Sequence, residues 1–133
     1  MKERIVEKFE DFKSALKRLE EGISIEPDKD IIMDGAIQRF EFVFELSWKL
    51  MREYLKYTGL EINNPRGVIK YAYQNGVIED GDKWLKMLSD RNMTLHLYNQ
   101  KMAWEIYQNI KFEYVELFKK LLLKFEEIIS FEL

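Results

Sequence analysis

The chain contains no cysteine. That absence excludes disulfides, thiolate metal sites and a cysteine nucleophile, and it fits a reducing compartment. Proline occurs twice and glycine six times in 133 residues, so little of the length can be loop. No apolar run approaches the roughly 18 residues a membrane span needs. The opening stretch "MKERIVEKFEDFK" is charged throughout and does not read as a signal peptide. No segment shows the period-2 alternation of a strand. Histidine is nearly absent, with His96 the single copy. The reading is a cytoplasmic, all-α protein away from membranes, with no cofactor and no metal site.

What is present suits a soluble globular chain. Apolar residues make up 47% and charged residues 34%, enough to bury a real core in one domain spanning residues 1–133. The net charge of −3 argues against coating nucleic acid by bulk electrostatics. The charge is uneven. Residues 64–101 hold six bases and four acids, a local excess of +2, so the remainder carries −5. A basic face on an acidic body is one reading. Ordinary solvated charge is the other, and charge alone favours it.

Periodicity is helical almost everywhere. Ile5, Phe9, Phe12, Leu16, Leu19 and Ile23 recur at spacings of 3 and 4, one apolar stripe on a first helix that Gly22 should end. Asp28 or Asp30 can cap a second helix over about 31–58, with Gly59 closing it. Phe40, Val43, Phe44, Leu50, Met51 and Tyr54 make one face of it. Phe42, Leu46 and Trp48 lie off that face, which suggests burial between neighbours or at a subunit interface. Asn64, Pro65 and Gly76 bracket a short third helix. Asp80 or Asp82 opens a fourth. Ala103, Ile106, Tyr107, Ile110, Tyr114, Leu117, Phe118, Leu121, Phe125 and Ile128 mark a long last one over about 99–130. A kink or short break is expected between Leu97 and Gln100, with Asn99 as cap; a helix continuous through Tyr98 is the alternative. The fold class is an up-and-down helical bundle of about four main helices and one short one.

The chemistry centres on "SDRNMTLHLYNQ", residues 89–100. Imidazole moves protons near neutral pH. A guanidinium is planar, always charged and able to bind two phosphate oxygens at once. Together they can cleave RNA without a metal: histidine takes the 2′-hydroxyl proton, the oxygen attacks phosphorus, and arginine stabilises the phosphoryl charge. One histidine per chain leaves the leaving group without an acid, which a two-fold dimer would supply. On a regular helix Arg91 and His96 are about 140° apart, while Asn92 and His96 share a face. Either Arg91 reaches around, or it serves the partner's histidine, or the helix distorts. As bare residue types the pair is weak evidence, because a lone helical histidine is most often a surface or satisfied structural residue.

The run Arg91-Asn92-x-x-x-His96-x-Tyr98 resembles the Arg-x4-His-x-Tyr signature of the HEPN superfamily. The stretches "DGAIQRFEFVFELSWKLMREYL", "NPRGVIKYAYQNGVIEDGDKWLKMLSDRN" and "HLYNQKMAWEIYQNI" resemble its branch of nucleotidyltransferase substrate-binding proteins, over roughly residues 34–110. The resemblance implies a HEPN-like helical bundle that forms a homodimer, with Arg and His of both chains lining a shared cleft. It implies a metal-independent ribonuclease toxin paired with a minimal nucleotidyltransferase antitoxin, and RNA or nucleotide as ligand. By the same resemblance Arg91 clamps phosphate, His96 is the general base or acid, and Asn92 orients His96 or the phosphate. Tyr98 is a substrate contact or the acceptor of AMP from the transferase. Added charge and bulk there would block an RNA phosphate.

Two other readings stand beside the enzyme. One is a non-catalytic subunit that holds nucleotide or substrate for a separate transferase; the other is a plain helical assembly module. Lys70, Lys83 and Lys101 are secondary candidates for backbone contacts, and Asp90 is given no role. Tyr71 and Tyr73, with Arg66 and Lys70, could border the cleft. For Trp48, Trp84 and Trp104, core or interface packing is favoured over base stacking, and the "FEFVF" run is likewise core or interface first.

Overall fold

The structure is a computed structural model that describes residues 1–96 and 99–133. The helices follow in the order α1 (Lys2–Ile23), α2 (Asp30–Tyr57), α3 (Pro65–Gln74), α4 (Gly81–Met93), a 3₁₀ turn (Thr94–His96), α5 (Gln100–Asn109), a π turn (Ile110–Tyr114) and α6 (Val115–Phe131). There is no strand among the described residues. The last three elements run on without a break, so α5 and α6 form one rod with a π bulge inside it.

α2, about 42 Å long at 1.5 Å per residue, is the central rod. It packs against α1, α3 and α5, while α6 closes on α1. The aromatic centre of the core sits where these meet. Phe118 of α6 lies 6.1 Å from the Phe12 ring, 6.2 Å from Phe40 and 5.8 Å from Trp84. Phe40 stacks on Tyr114 at 5.6 Å. Five members of the α1 stripe are buried and Ile23 packs at its margin. All ten positions expected to line the last helix are buried. Phe40, Val43 and Phe44 of "FEFVF" are core, whereas Phe42 points out and is 59% exposed.

The helix ends follow local chemistry. Gly59 adopts φ +104°, and the chain there closes two hydrogen bonds, Leu60 N–H to Leu55 C=O and Gly59 N–H to Lys56 C=O. Gly76, at φ +73°, repeats this pattern with Val77 to Ala72 and Gly76 to Tyr73. Both are Schellman ends, which need a residue at ease in the left-handed region. Asn64 caps α3 by accepting from Gly67 N–H at 2.8 Å, with Pro65 in the first turn.

Two expectations fail. Gly22 does not end α1; the helix runs through it to Ile23, with Ser24 at the cap position. Gly22 serves a close approach instead, since a Cβ there would stand 3.3 Å from Cδ of Arg39 on α2. Neither Asp28 nor Asp30 caps α2. Lys29 holds the cap position, and the Asp30 carboxylate, already in the first turn, accepts a hydrogen bond from the Gln100 amide. A carboxylate in the first turn still complements the helix dipole.

Candidate active site

The last turn of α4 carries two charged neighbours that point to different places. The Asp90 carboxylate accepts hydrogen bonds from Asn109 Nδ2, at 3.0 Å, and from the Tyr114 hydroxyl. Asn109 ends α5 and Tyr114 ends the π turn, so the bulge brings both donors to one carboxylate. Burial, and then the Asp90 hydrogen bond, push the Tyr114 pKa far above the usual phenol value, which keeps the hydroxyl protonated as a donor. Asp90, given no role from the sequence, anchors the end of α4.

Arg91 turns toward α2. Its side chain is 18% exposed, and Nη2 lies 3.5 Å from Glu45 Oε1. Its Nε is buried with no hydrogen-bond partner among the described residues. The other oxygen of Glu45 accepts from Trp48 Nε1 at 3.2 Å and lies 3.8 Å from Lys49 Nζ. Glu45 thus holds the guanidinium through one nitrogen at long range. That is an orienting contact, weaker than a bidentate fork, and a phosphate offering two oxygens can compete for it.

Regular helix stops at Met93. Thr94–His96 form a 3₁₀ turn, and the Thr94 hydroxyl donates to the Arg91 carbonyl at 2.6 Å. The 3₁₀ turn ends the regular helix between Arg91 and His96 but, at about 120° per residue, it does not rotate His96 toward the Arg91 face. His96 and Asn92 are exposed. The chain re-enters helix at Gln100, with Asn99 in extended backbone and its side chain accepting from Met102 N–H at 2.9 Å. The expected cap is there, and a helix continuous across Asn99 is excluded. Leu97 and Tyr98 lie outside the described residues.

The structure therefore puts Arg91, Asn92 and His96 at one end of α4, with Arg91 held inward and His96 and Asn92 in solvent. The sequence reading missed Glu45. Its signal was an acid in a helix with apolar residues on several sides, a position that calls for a cationic partner; which cation, the sequence does not say. Lys70 and Lys83 share a groove with Glu79, Asp80 and Asp82, so their charge is locally offset. Trp48 and Trp84 are buried. Trp104 is 44% exposed and stacks on Tyr107 at 5.7 Å, so packing accounts for only part of its surface.

A family model described as nucleotidyltransferase substrate binding protein like matches residues 7–127. A Haemophilus influenzae protein named probable ribonuclease HepT is 34% identical over 87 residues, 62% of this chain and 60% of that protein. The chain thus spans three fifths of the length of the curated relative it matches. A crystal structure of a Thermus thermophilus protein superposes with a TM-score of 0.77 at 36% identity, covering 84% of this chain and 95% of that one. A tri-AMPylated HEPN toxin of Shewanella oneidensis, in complex with MNT antitoxin, superposes with a TM-score of 0.73 at 17% identity, covering 92% and 96%. That last likeness is one of fold.

Proposed function

The chain belongs to the nucleotidyltransferase substrate binding protein-like family, and from that premise we propose that it is a metal-independent endoribonuclease of the cytoplasm, the toxin of a two-component module restrained by a minimal nucleotidyltransferase. One observation carries the reading: His96 stands in solvent on a turn just past the helix end that holds Arg91, whose guanidinium Glu45 keeps in one orientation. In this scheme His96 takes the ribose 2′-hydroxyl proton, the 2′-oxygen attacks phosphorus, and the 5′-oxygen leaves. Arg91 stabilises the charge on the phosphoryl oxygens, and Asn92 orients the phosphate. The leaving oxygen needs an acid, and His96 of a second copy is the natural source. Phe42 and Leu95, at 59% and 66% exposure, offer apolar surface for that copy to cover. The name of the Haemophilus relative supports the activity. The Shewanella complex supports the partner, and its AMPylated state supports AMP transfer as the means of restraint; Tyr98 is the acceptor in this scheme, its oxygen taking the adenylyl group of ATP as pyrophosphate leaves.

The test is RNA cleavage by purified protein in chelator. His96→Ala should abolish it while thermal stability stays within about 0.5 kcal/mol, since the residue is exposed. Equal action of wild type and His96→Ala on RNA removes the reading. A second reading, a non-catalytic subunit that holds substrate for the transferase, draws on Arg91 being largely covered and already engaged by Glu45. It requires that wild type form the complex with the transferase yet leave RNA intact.

A further inference from the structure

The cations that the sequence reading considered for RNA contact lie in residues 64–101, where acids surround them. A different set lines one face of α2, and the fold adds Arg91 and Arg4 at its two ends. Glu45, Lys49, Arg52 and Lys56 stand at i, i+4, i+7 and i+11 on α2. At 100° per residue these fall within about 60° of one another on a single face. Glu45 is the contact of Arg91, so the row starts at the candidate site. Lys49 lies 3.8 Å from Glu45. Arg52 sits 5.3 Å over the Trp48 ring, which holds its guanidinium along the helix. At the far end, a groove of about 300 Å³ is lined by Arg52, Lys56 and Arg4 of α1 together with the acids Glu53 and Glu61. Glu53 in that groove is buried and already paired with Arg4.

We propose that this face of α2, from Arg91 through Lys49 and Arg52 to Lys56 and Arg4, is a track for the phosphate backbone of single-stranded RNA. Cations recur about once per turn, near 5.4 Å, along a path that a flexible strand can follow. The track lets a chain of net charge −3 bind a polyanion: α2 as a whole carries five acids and four bases, but over residues 45–56 the three cations outnumber the two acids, Glu45 and Glu53. Trp48 is buried, so it braces Glu45 and Arg52 and offers no ring to stack a base. Sequence preference along this stretch is accordingly weak, because phosphate contacts position a strand without reading it. The inference rests on the ribonuclease reading for its direction, since the strand is taken to lead to His96, but binding can be measured apart from cleavage.

The experiment uses a fluorescent 2′-O-methyl oligonucleotide, which lacks the attacking hydroxyl and cannot be cleaved. Anisotropy is followed over a range of salt for wild type, for Lys49→Gln/Arg52→Gln/Lys56→Gln, and for Lys70→Gln/Lys83→Gln. The α2 triple variant should bind roughly tenfold or more weakly, and the slope of log Kd against log salt should fall by about 2, close to 0.7 for each of three contacts. The Lys70/Lys83 variant should match wild type. Arg52→Lys keeps the charge and should keep the slope, which separates a charge effect from a folding defect. Unchanged binding by the triple variant overturns the track. So does a loss confined to the Lys70/Lys83 variant, or a wild type that does not bind. If the triple variant releases the nucleotidyltransferase but holds the oligonucleotide, the face belongs to a protein and the track is again overturned. If wild type binds through α2 yet leaves unmodified RNA intact, the track stands and the ribonuclease reading falls.

Discussion

Tyr114 donates a hydrogen bond to Asp90, joining the end of the π turn to the last turn of α4. The bond ties an irregularity in one helix to the position of Arg91 on another. π turns recur at functional sites because the extra residue re-aims the side chains around it. Here it sends Asn109 and Tyr114 to one carboxylate, and Arg91 is the next residue along.

Tyr114→Phe removes a buried donor and leaves Asp90 with Asn109 alone. The cost in stability should be about 1–3 kcal/mol, read from denaturant midpoints at constant slope. Cleavage should fall as well, because the end of α4 loses one of its two anchors. A variant as stable and as active as wild type would show that the anchor does nothing.

Glu45→Gln removes the charge that orients Arg91 but keeps a similar shape. RNA cleavage should drop roughly tenfold without loss of fold, in line with the sensitivity of catalysis to small misplacements. Arg91→Lys should cost more, because an ammonium cannot reproduce the planar fork. The ordering of wild type, Glu45→Gln and Arg91→Lys in single-turnover rates is the check.

Asn99→Ala deletes the cap of α5. Its side chain accepts from Met102 N–H at 2.9 Å, and such a cap contributes about 1 kcal/mol. The variant should lose that much stability, with faster amide exchange in the first turn of α5.

Alkaline pH should destabilise the fold through its tyrosines. Burial first, and then the hydrogen bond to Glu132, push Tyr54 up to about 12 from an ordinary value of 10.0. Between those values the folded chain holds a proton that the unfolded chain has lost, so stability falls as pH rises. The contribution is fully present below about pH 10. Tyr114 shifts in the same direction and extends the loss to higher pH. Unfolding midpoints over about pH 9–12 should therefore fall less steeply in Tyr54→Phe than in wild type.

Much of the fold is legible from local patterns. The α1 stripe and the long α5–α6 face come straight from spacings of 3 and 4, and the ends at Gly59 and Gly76 come from the one residue type at ease with positive φ. The same logic misassigned Gly22. A glycine near a helix end reads as a terminator, yet this one is kept small by Arg39 of a neighbouring helix. The π turn was invisible for a similar reason: the apolar spacing continues across it, and only packing against Asp90 shows where a residue was added.

The site divides along the same line. Arg91, Asn92, His96 and Tyr98 were all named from a short motif, because residue types and intervals are properties of the chain itself. Their surroundings were not. Glu45 lies 46 residues before Arg91 and Tyr114 lies 24 after Asp90, and no local rule pairs groups across such gaps. The sequence determined that this protein is helical, where most of its helices stop, and which side chains are the candidates for its chemistry, since periodicity, caps and residue type act over a few neighbours. Only the tertiary structure decided that the arginine is held inward while the histidine meets water, and that Arg91 and Arg4 join the cations of α2, because burial and charge alignment depend on which helices pack together.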